Sequence, residues 1–272
     1  MGKRIYIAYT GGTIGMRRSR AGYQPAPGYL QELMGQMPEL ANPEMPGYAI
    51  HEYRPLIDSS DMHPRNWTTI AQDIAANYER FDGFVVLHGT DTMAYTASAL
   101  PFMLQGLRKP VILTGGQIPL CEVRNDSREN LITAMLIAAR YQLPEVALFF
   151  GNKLLRGNRA VKVSADGFAA FDSPNLPPLG YAGLGINIDW DLVLALPEQK
   201  ALQVAAFKSA HVGALRLFPG ISADIVANLL APPIRGVVLE TYGVGNGPSS
   251  DGRLLDTLRA ATKRGVLIVN CT

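Results

Sequence analysis

The sequence predicts an α/β fold. A larger N-terminal domain carries a mainly parallel sheet flanked by helices, and a smaller α/β domain follows. Three observations carry this. Short apolar runs alternate with stretches of helical period along most of the chain. The apolar runs are continuous, as strands covered on both faces of a parallel sheet are. The rhythm breaks once, around the proline-rich stretch 173–178, and then resumes.

The elements follow in order. Arg4-Ile5-Tyr6-Ile7-Ala8-Tyr9 is a strand that empties into Thr10-Gly11-Gly12-Thr13-Ile14-Gly15. Residues 64–80 form a helix: Pro64 suits a first helical position, and Trp67, Ile70, Ala71, Ile74 and Tyr78 recur at helical spacing. Phe84-Val85-Val86-Leu87 is a second strand, emptying into His88-Gly89-Thr90-Asp91-Thr92-Met93. A helix over 92–104 carries Pro101, which interrupts its hydrogen bonding. Val111-Ile112-Leu113 is a short strand, and residues 126–141 are a helix with Leu131, Ala134, Met135 and Ala138 on one face. Residues 146–150 close the series as a strand.

Residues 167–217 read differently. Ser173-Pro174-Asn175-Leu176-Pro177-Pro178 is neither helix nor central strand, so this stretch is expected to be a linker with a small irregular or β-rich segment. The second rhythm is a helix over 222–230, a strand over 237–239, a helix over 251–263 and a strand over 266–269. The expected division is a domain over 1–182, a linker over 183–211 and a second domain over 212–272. The chain stops on strand pattern at Val269-Asn270-Cys271-Thr272, and the expectation is a second domain cut short.

Bulk properties narrow the function. With 272 residues and 47% hydrophobic content, the chain buries a real core. A formal charge of +2 argues against nucleic acid or a membrane surface as main partner. Two cysteines, Cys121 and Cys271, leave neither a disulfide framework nor a CxxC metal site and fit a reducing cytosol. The apolar stretch after the N-terminal basic residues is too short for a signal-peptide core, and no run of about eighteen apolar residues spans a membrane.

The chemistry sits at the strand ends. In open α/β sheets ligands bind outside the carboxyl ends of the strands. Thr13 and Thr90 each follow a strand in a glycine turn, and Asp91 lies beside Thr90. Gly11 and Gly12 let backbone N–H groups approach a ligand closely. Neither G-x-G-x-x-G nor G-x-x-x-x-G-K-[ST] occurs, so the turns are not nucleotide loops of those types. Asp91 either caps the following helix or serves the site. A hydroxyl nucleophile needs a base. His88 adjoins the second turn, although a histidine at a strand end is more often structural. Lys162, in Arg156-Gly157-Asn158-Arg159-Ala160-Val161-Lys162, is the alternative; read alone, that basic run is a solvated face. No serine stands in a G-x-S-x-G elbow. In Asp58-Ser59-Ser60-Asp61-Met62 a polar residue either caps the helix at Pro64 or holds a substrate carboxylate. Residues 16–28, polar and glycine-bearing, are either a lid or an ordinary loop.

Together these segments resemble the bacterial-type L-asparaginase family, and within it the cytoplasmic type I branch. The matching stretches are Tyr9-Thr10-Gly11-Gly12-Thr13-Ile14-Gly15, Asp58-Ser59-Ser60-Asp61-Met62, His88-Gly89-Thr90-Asp91-Thr92-Met93-Ala94-Tyr95-Thr96-Ala97, Arg156-Gly157-Asn158-Arg159 with Lys162, and Tyr242-Gly243-Val244-Gly245-Asn246. The resemblance implies an amidohydrolase that converts L-asparagine to L-aspartate and ammonia through an acyl-enzyme. It assigns Thr13 as nucleophile, Tyr23 as the mobile-loop tyrosine that helps activate it, and Thr90, Asp91 and Lys162 as a hydrogen-bonded group. Asp58, Ser59, Ser60, Gly89, Thr90 and Asp91 then line the substrate, with Ser59 on its α-carboxylate and Asp91 on its α-ammonium. The resemblance implies no metal and no organic cofactor, a cytoplasmic homodimer or homotetramer, and no nucleic-acid or membrane partner. Two other readings stand beside it: a non-catalytic asparagine or aspartate sensor, and an ammonia-releasing amidotransferase subunit.

Overall fold

Two compact units divide the chain, one running through Phe207 and one over Lys208–Thr272. The computed structural model describes residues 2–198, 201–208, 210–250 and 252–272.

The first unit is built on an eight-stranded sheet. Its order is Ile186–Ile188, Gly180–Ala182, Lys153–Arg156, Val146–Phe150, Val111–Thr114, Gly83–Leu87, Arg4–Tyr9 and Gly47–Glu52. The last five are parallel, and the first three extend the sheet by antiparallel pairing. The continuous apolar runs follow from burial on both faces. Phe84 and Val86 join one core with Tyr6, Ile70, Ile74, Leu100 and Leu148. Val85 and Leu87 join the other with Ile5, Ile7, Leu131, Met135 and Phe149. Burying each large aliphatic side chain contributes about 1.5–3 kcal/mol, so both faces demand apolar residues.

The helices Pro64–Asn77, Met93–Met103 and Ser127–Arg140 stand where periodicity predicts them. Their starts differ from expectation. His63, not Ser59, Ser60 or Asp61, caps Pro64–Asn77: its Nδ1 accepts from Arg65 N at 3.3 Å while Asn66 Oδ1 accepts from His63 N at 2.9 Å. Thr92, not Asp91, occupies the cap position of Met93–Met103, and its side chain makes no capping bond. Pro101 lies inside that helix and deprives Ala97 of its N–H partner four residues on. Gly157 packs against the Ala97 carbonyl, and a Cβ there would lie 2.5 Å from that oxygen. This close approach sets the turn Gly157–Arg159, which leads into Lys162, against the helix that begins just after Asp91.

Periodicity does not reveal the edge strand Gly47–Glu52, the short helix Tyr29–Gly35, or the exposed hairpin of Met16–Ser19 and Gly22–Pro25. The hairpin has no buried residue to carry a pattern beyond half-buried Met16. The stretch expected as a linker, 183–211, is divided between the two units. Residues 183–207 belong to the first unit, with Ile186–Ile188 as its edge strand and Gln203–Val204 paired to Leu104–Gln105. Residues 199, 200 and 209 of that stretch lie outside the described residues.

The second unit is a three-stranded parallel sheet, Val212–Arg216, Gly236–Glu240 and Leu267–Cys271, with helices Ala223–Leu229 and Gly252–Lys263. Leu215, Val226, Val237, Leu239, Leu254 and Ala261 form its core. Asp251, the expected first residue of the second helix, lies outside the described residues.

Candidate active site

Strand order decides where the site lies. The first strand, Arg4–Tyr9, pairs with Gly47–Glu52 on one side and with Gly83–Leu87 on the other. The winding therefore reverses between Arg4–Tyr9 and Gly83–Leu87, and a crevice opens outside their carboxyl ends. The two threonine turns leave the sheet at that point.

Hydrogen bonds tie the strand ends together. Thr10 donates to Leu87 O through its N–H at 3.0 Å and its hydroxyl at 2.9 Å. His88 N donates to Thr114 O at 3.0 Å, and Thr114 Oγ1 donates to Phe149 O at 2.7 Å. The turns touch: a Cβ on Gly12, whose φ is +96°, would lie 2.5 Å from Gly89 N. One on Gly89 would collide with Ser59 Oγ. Residues 13, 89 and 59 are thus brought around one small space.

The second turn holds a charged group. Lys162 Nζ donates to Thr90 Oγ1 at 2.9 Å and to Asp91 Oδ1 at 2.9 Å. The lysine side chain is 22% exposed and the aspartate 63%, so this is a half-sheltered pair with Asp91 reaching towards solvent. The basic run read alone as a solvated face therefore ends on a paired lysine. Thr90 Oγ1 in turn donates to Gln117 Oε1 at 3.1 Å. Among the described residues, the N–H groups of Thr13, Gly89 and Thr90 have no partner. They offer donors to an anionic oxygen.

The other sequence-predicted residues are distributed unevenly. Thr13 opens a short 3-10 turn, half-buried, and its hydroxyl has no partner among the described residues. Ser59 is buried, held by Thr92 Oγ1 donating to its carbonyl at 2.6 Å. Asp58 and Ser60 form a closed turn instead: Asp58 Oδ1 accepts from both Ser60 N and Ser60 Oγ at 2.9 Å. Tyr23 is 43% exposed on the hairpin. Its phenol is hydrogen-bonded to Glu122, which raises its pKa above the ordinary value. The structure therefore brings Thr90, Asp91 and Lys162 into direct contact and sets Tyr23 on a different partner.

His88 is not a base. Its ring is 1% exposed, with Nδ1 2.7 Å from Gly89 O and Nε2 2.8 Å from Thr96 Oγ1. A carbonyl only accepts, so Nδ1 carries the proton and Nε2 accepts from Thr96. Thr96 Oγ1 also accepts from Trp67 Nε1 at 3.0 Å. Burial lowers the imidazole pKa to about 4, outweighing the bond to Gly89. His88 is a neutral brace beneath the turn.

Gln117 is the site residue that sequence reasoning missed. Val111-Ile112-Leu113-Thr114-Gly115-Gly116 repeats the strand-to-glycine pattern of the two threonine turns, but that pattern does not single out the glutamine after it.

Comparison with known proteins identifies the family. The family model "Asparaginase, N-terminal" matches residues 4–194, and "Glutaminase/Asparaginase C-terminal domain" matches residues 211–272. The chain is 53% identical to L-asparaginase 1 of Escherichia coli over 270 residues, covering 99% of this chain and 79% of that protein. The crystal structure of L-asparaginase I from Vibrio cholerae superimposes with a TM-score of 0.93 at 51% identity, covering 99% of this chain and 81% of that one. The structure of a probable cytoplasmic L-asparaginase from Campylobacter jejuni matches with a TM-score of 0.82 at 25% identity, covering 99% and 83%. With both family models matched in order across two α/β units, this chain belongs to the asparaginase family.

Proposed function

We propose that this chain hydrolyses L-asparagine to L-aspartate and ammonia through a covalent acyl-enzyme. The observation that carries the reading is the Lys162 ammonium shared between Thr90 and Asp91 at the strand-order reversal, where the turn that leads to Thr13 packs against Gly89.

The substrate's polar groups find complementary partners. Asp91 gives one carboxylate oxygen to Lys162, leaving the other for the α-ammonium. Ser59 Oγ, pressed against Gly89, meets the α-carboxylate. The side-chain amide then lies between the two turns. Once Lys162 has given up one proton to solvent and stands as the amine, Thr13 Oγ1 attacks the amide carbon, its proton passes to Thr90, and Thr90 releases its own to that amine. The carbonyl oxygen becomes an oxyanion facing the free N–H groups, each such donor contributing about 3 kcal/mol. Collapse expels the nitrogen, which takes the proton back and leaves as ammonia. Water then attacks the Thr13 ester by the same relay and releases aspartate. The hairpin bearing Tyr23 closes over the crevice in this reading, exchanging Glu122 for Thr13.

The protein acts as a cytoplasmic homo-oligomer. The family and the name of the Campylobacter relative support that assignment, and no helix among the described residues is long and apolar enough to cross a membrane.

Steady-state ammonia release from asparagine, with glutamine as competitor substrate, tests the reading. Thr13→Ala, Thr90→Val and Lys162→Met should each lose at least about a hundredfold in kcat, the range of general acid–base and nucleophile contributions. Wild-type turnover in both threonine variants would overturn it.

A further inference from the structure

We propose that Gln117 is a positioning residue that sets the direction of the Thr90 hydroxyl proton. The inference rests on the roles of Thr90 and Lys162 given above. Lysine ammonium is a donor only, so Thr90 oxygen accepts from Lys162 Nζ and its single proton must point elsewhere. Gln117 Oε1, 3.1 Å away, takes it.

The amide is locked in this sense. Gln117 Nε2 donates to Ala165 O at 3.0 Å and to Gly167 O at 3.3 Å. Turning the amide over would set its oxygen against two carbonyl oxygens and an N–H against Thr90, so the network assigns the oxygen to Thr90. The backbone is clamped as well. Asp126, 9% exposed at the start of Ser127–Arg140, accepts from Gln117 N at 3.0 and 2.9 Å and from Ile118 N at 3.0 Å. A Cβ on Gly116 would strike Ser127 Oγ, which keeps the loop against that helix.

The lock has a consequence for proton transfer. Thr90 must swing its proton from Gln117 to the Lys162 amine before it can take one from Thr13. The bond to Gln117 belongs to the ammonium state, is lost in the amine state, and is remade during the reaction when Lys162 takes the proton and Thr90 must again direct its hydrogen away from it. Gln117 therefore governs the pH at which the swing occurs and the orientation from which it starts. The charged and titratable groups around this pair are Asp91 on Lys162, Tyr95 in the same hollow, Arg124 and Asp166 beside Gln117, and Asp126 beneath it.

The test is ammonia release by Gln117→Met, which keeps the length and removes both functions, and by Gln117→Asn, which keeps the amide but not the reach. Each should lose about tenfold in plateau kcat, with KM within about threefold of wild type, as loss of one hydrogen bond used in the reaction predicts. The ascending limb of kcat/KM should move to lower pH by about 0.7 unit, one net hydrogen bond converted at 1.36 kcal/mol per unit. Melting temperatures accompany both variants, and Gln117→Asn decides if Gln117→Met fails to fold. A wild-type plateau and limb in a folded variant overturns the proposal. A fallen plateau with an unmoved limb also overturns it, because that is what a structural role produces. Thr90→Val run in parallel separates the two readings: if it retains wild-type turnover the parent mechanism fails, whereas an inactive Thr90→Val beside a wild-type Gln117→Met removes only Gln117.

Discussion

Acid should weaken the first unit through one residue, His88, well before carboxylates titrate. The imidazole is neutral and buried, with its pKa lowered from 6.5 to about 4 by desolvation. The unfolded chain binds a proton between those values and the folded chain does not, so stability rises with pH through the window and is lost as pH falls from about 6.5 towards 4. The full difference of about 2.5 units corresponds to about 3 kcal/mol, of which about 2 kcal/mol is gone by pH 5. Several carboxylates also lose stabilisation in acid. Asp172, lowered first by Lys153, and Glu39, lowered first by its own backbone N–H, release theirs below about pH 4.5. A measurement between pH 7.5 and 5 therefore isolates the histidine.

The assay is urea unfolding at constant ionic strength at four pH values across that range. Tryptophan fluorescence is the probe. Both tryptophans, Trp67 and Trp190, lie in the first unit, and Trp67 donates into the Thr96–His88 chain itself. Wild type should lose about 2 kcal/mol between pH 7.5 and 5, whereas His88→Gln, neutral throughout, should be less stable at pH 7.5 and nearly flat. If wild type and variant share one slope, the neutral-brace assignment is wrong.

Three further perturbations test how the fold places the site. Gly157→Ala forces a Cβ to within 2.5 Å of Ala97 O and 2.8 Å of Val146 O. It should cost about 1–3 kcal/mol in thermal or urea unfolding and lower kcat by displacing Lys162. Gly12→Ala combines a φ of +96° with a Cβ 2.5 Å from Gly89 N, so asparagine turnover should collapse while far-ultraviolet circular dichroism stays native. Glu145→Gln breaks a buried clamp in which Arg156 Nε donates to Glu145 Oε2 at 2.6 Å and Leu194 N to Oε1 at 2.6 Å. Unfolding free energy should fall by about 3–5 kcal/mol, with protease sensitivity rising first near Leu194.

The legible parts of the fold are those where burial acts on both faces of an element. Phe84-Val85-Val86-Leu87 reads as a strand because each residue enters one of two cores. Gly47–Glu52 does not, because at the sheet edge most of its residues are only half-buried and the apolar run is diluted by His51 and Glu52. The stretch 183–207 misleads for a related reason. Its contacts with the first unit come from strands of two and three residues, Gln203–Val204 and Ile186–Ile188, too short to show a period. At the site, the two threonine turns were legible from their glycines. Gln117 was not, because an amide after a glycine pair acquires meaning only when Thr90 and the 165–167 carbonyls arrive from distant parts of the chain.

Local pattern does not rank the threonines either. Thr10, Thr13, Thr90, Thr92, Thr96 and Thr114 all lie in or just after the three glycine turns. Geometry separates them by what the hydroxyl meets. Thr10 directly follows the strand Arg4–Tyr9 and Thr114 ends the strand Val111–Thr114, and each hydroxyl donates to a carbonyl of the adjacent strand and closes the sheet end. Thr92 and Thr96 stand at the cap and within the helix Met93–Met103 and brace Ser59 and His88. Thr90 accepts from a cation and donates to an amide, which commits its proton and suits it to the relay role proposed above. Thr13 lies past two glycines at positive φ, where the chain has already left the sheet and no carbonyl is within reach. The uncommitted hydroxyl is thus a product of the Gly11-Gly12 turn. A substitution that flattened this turn should abolish turnover even with every polar side chain of the site retained.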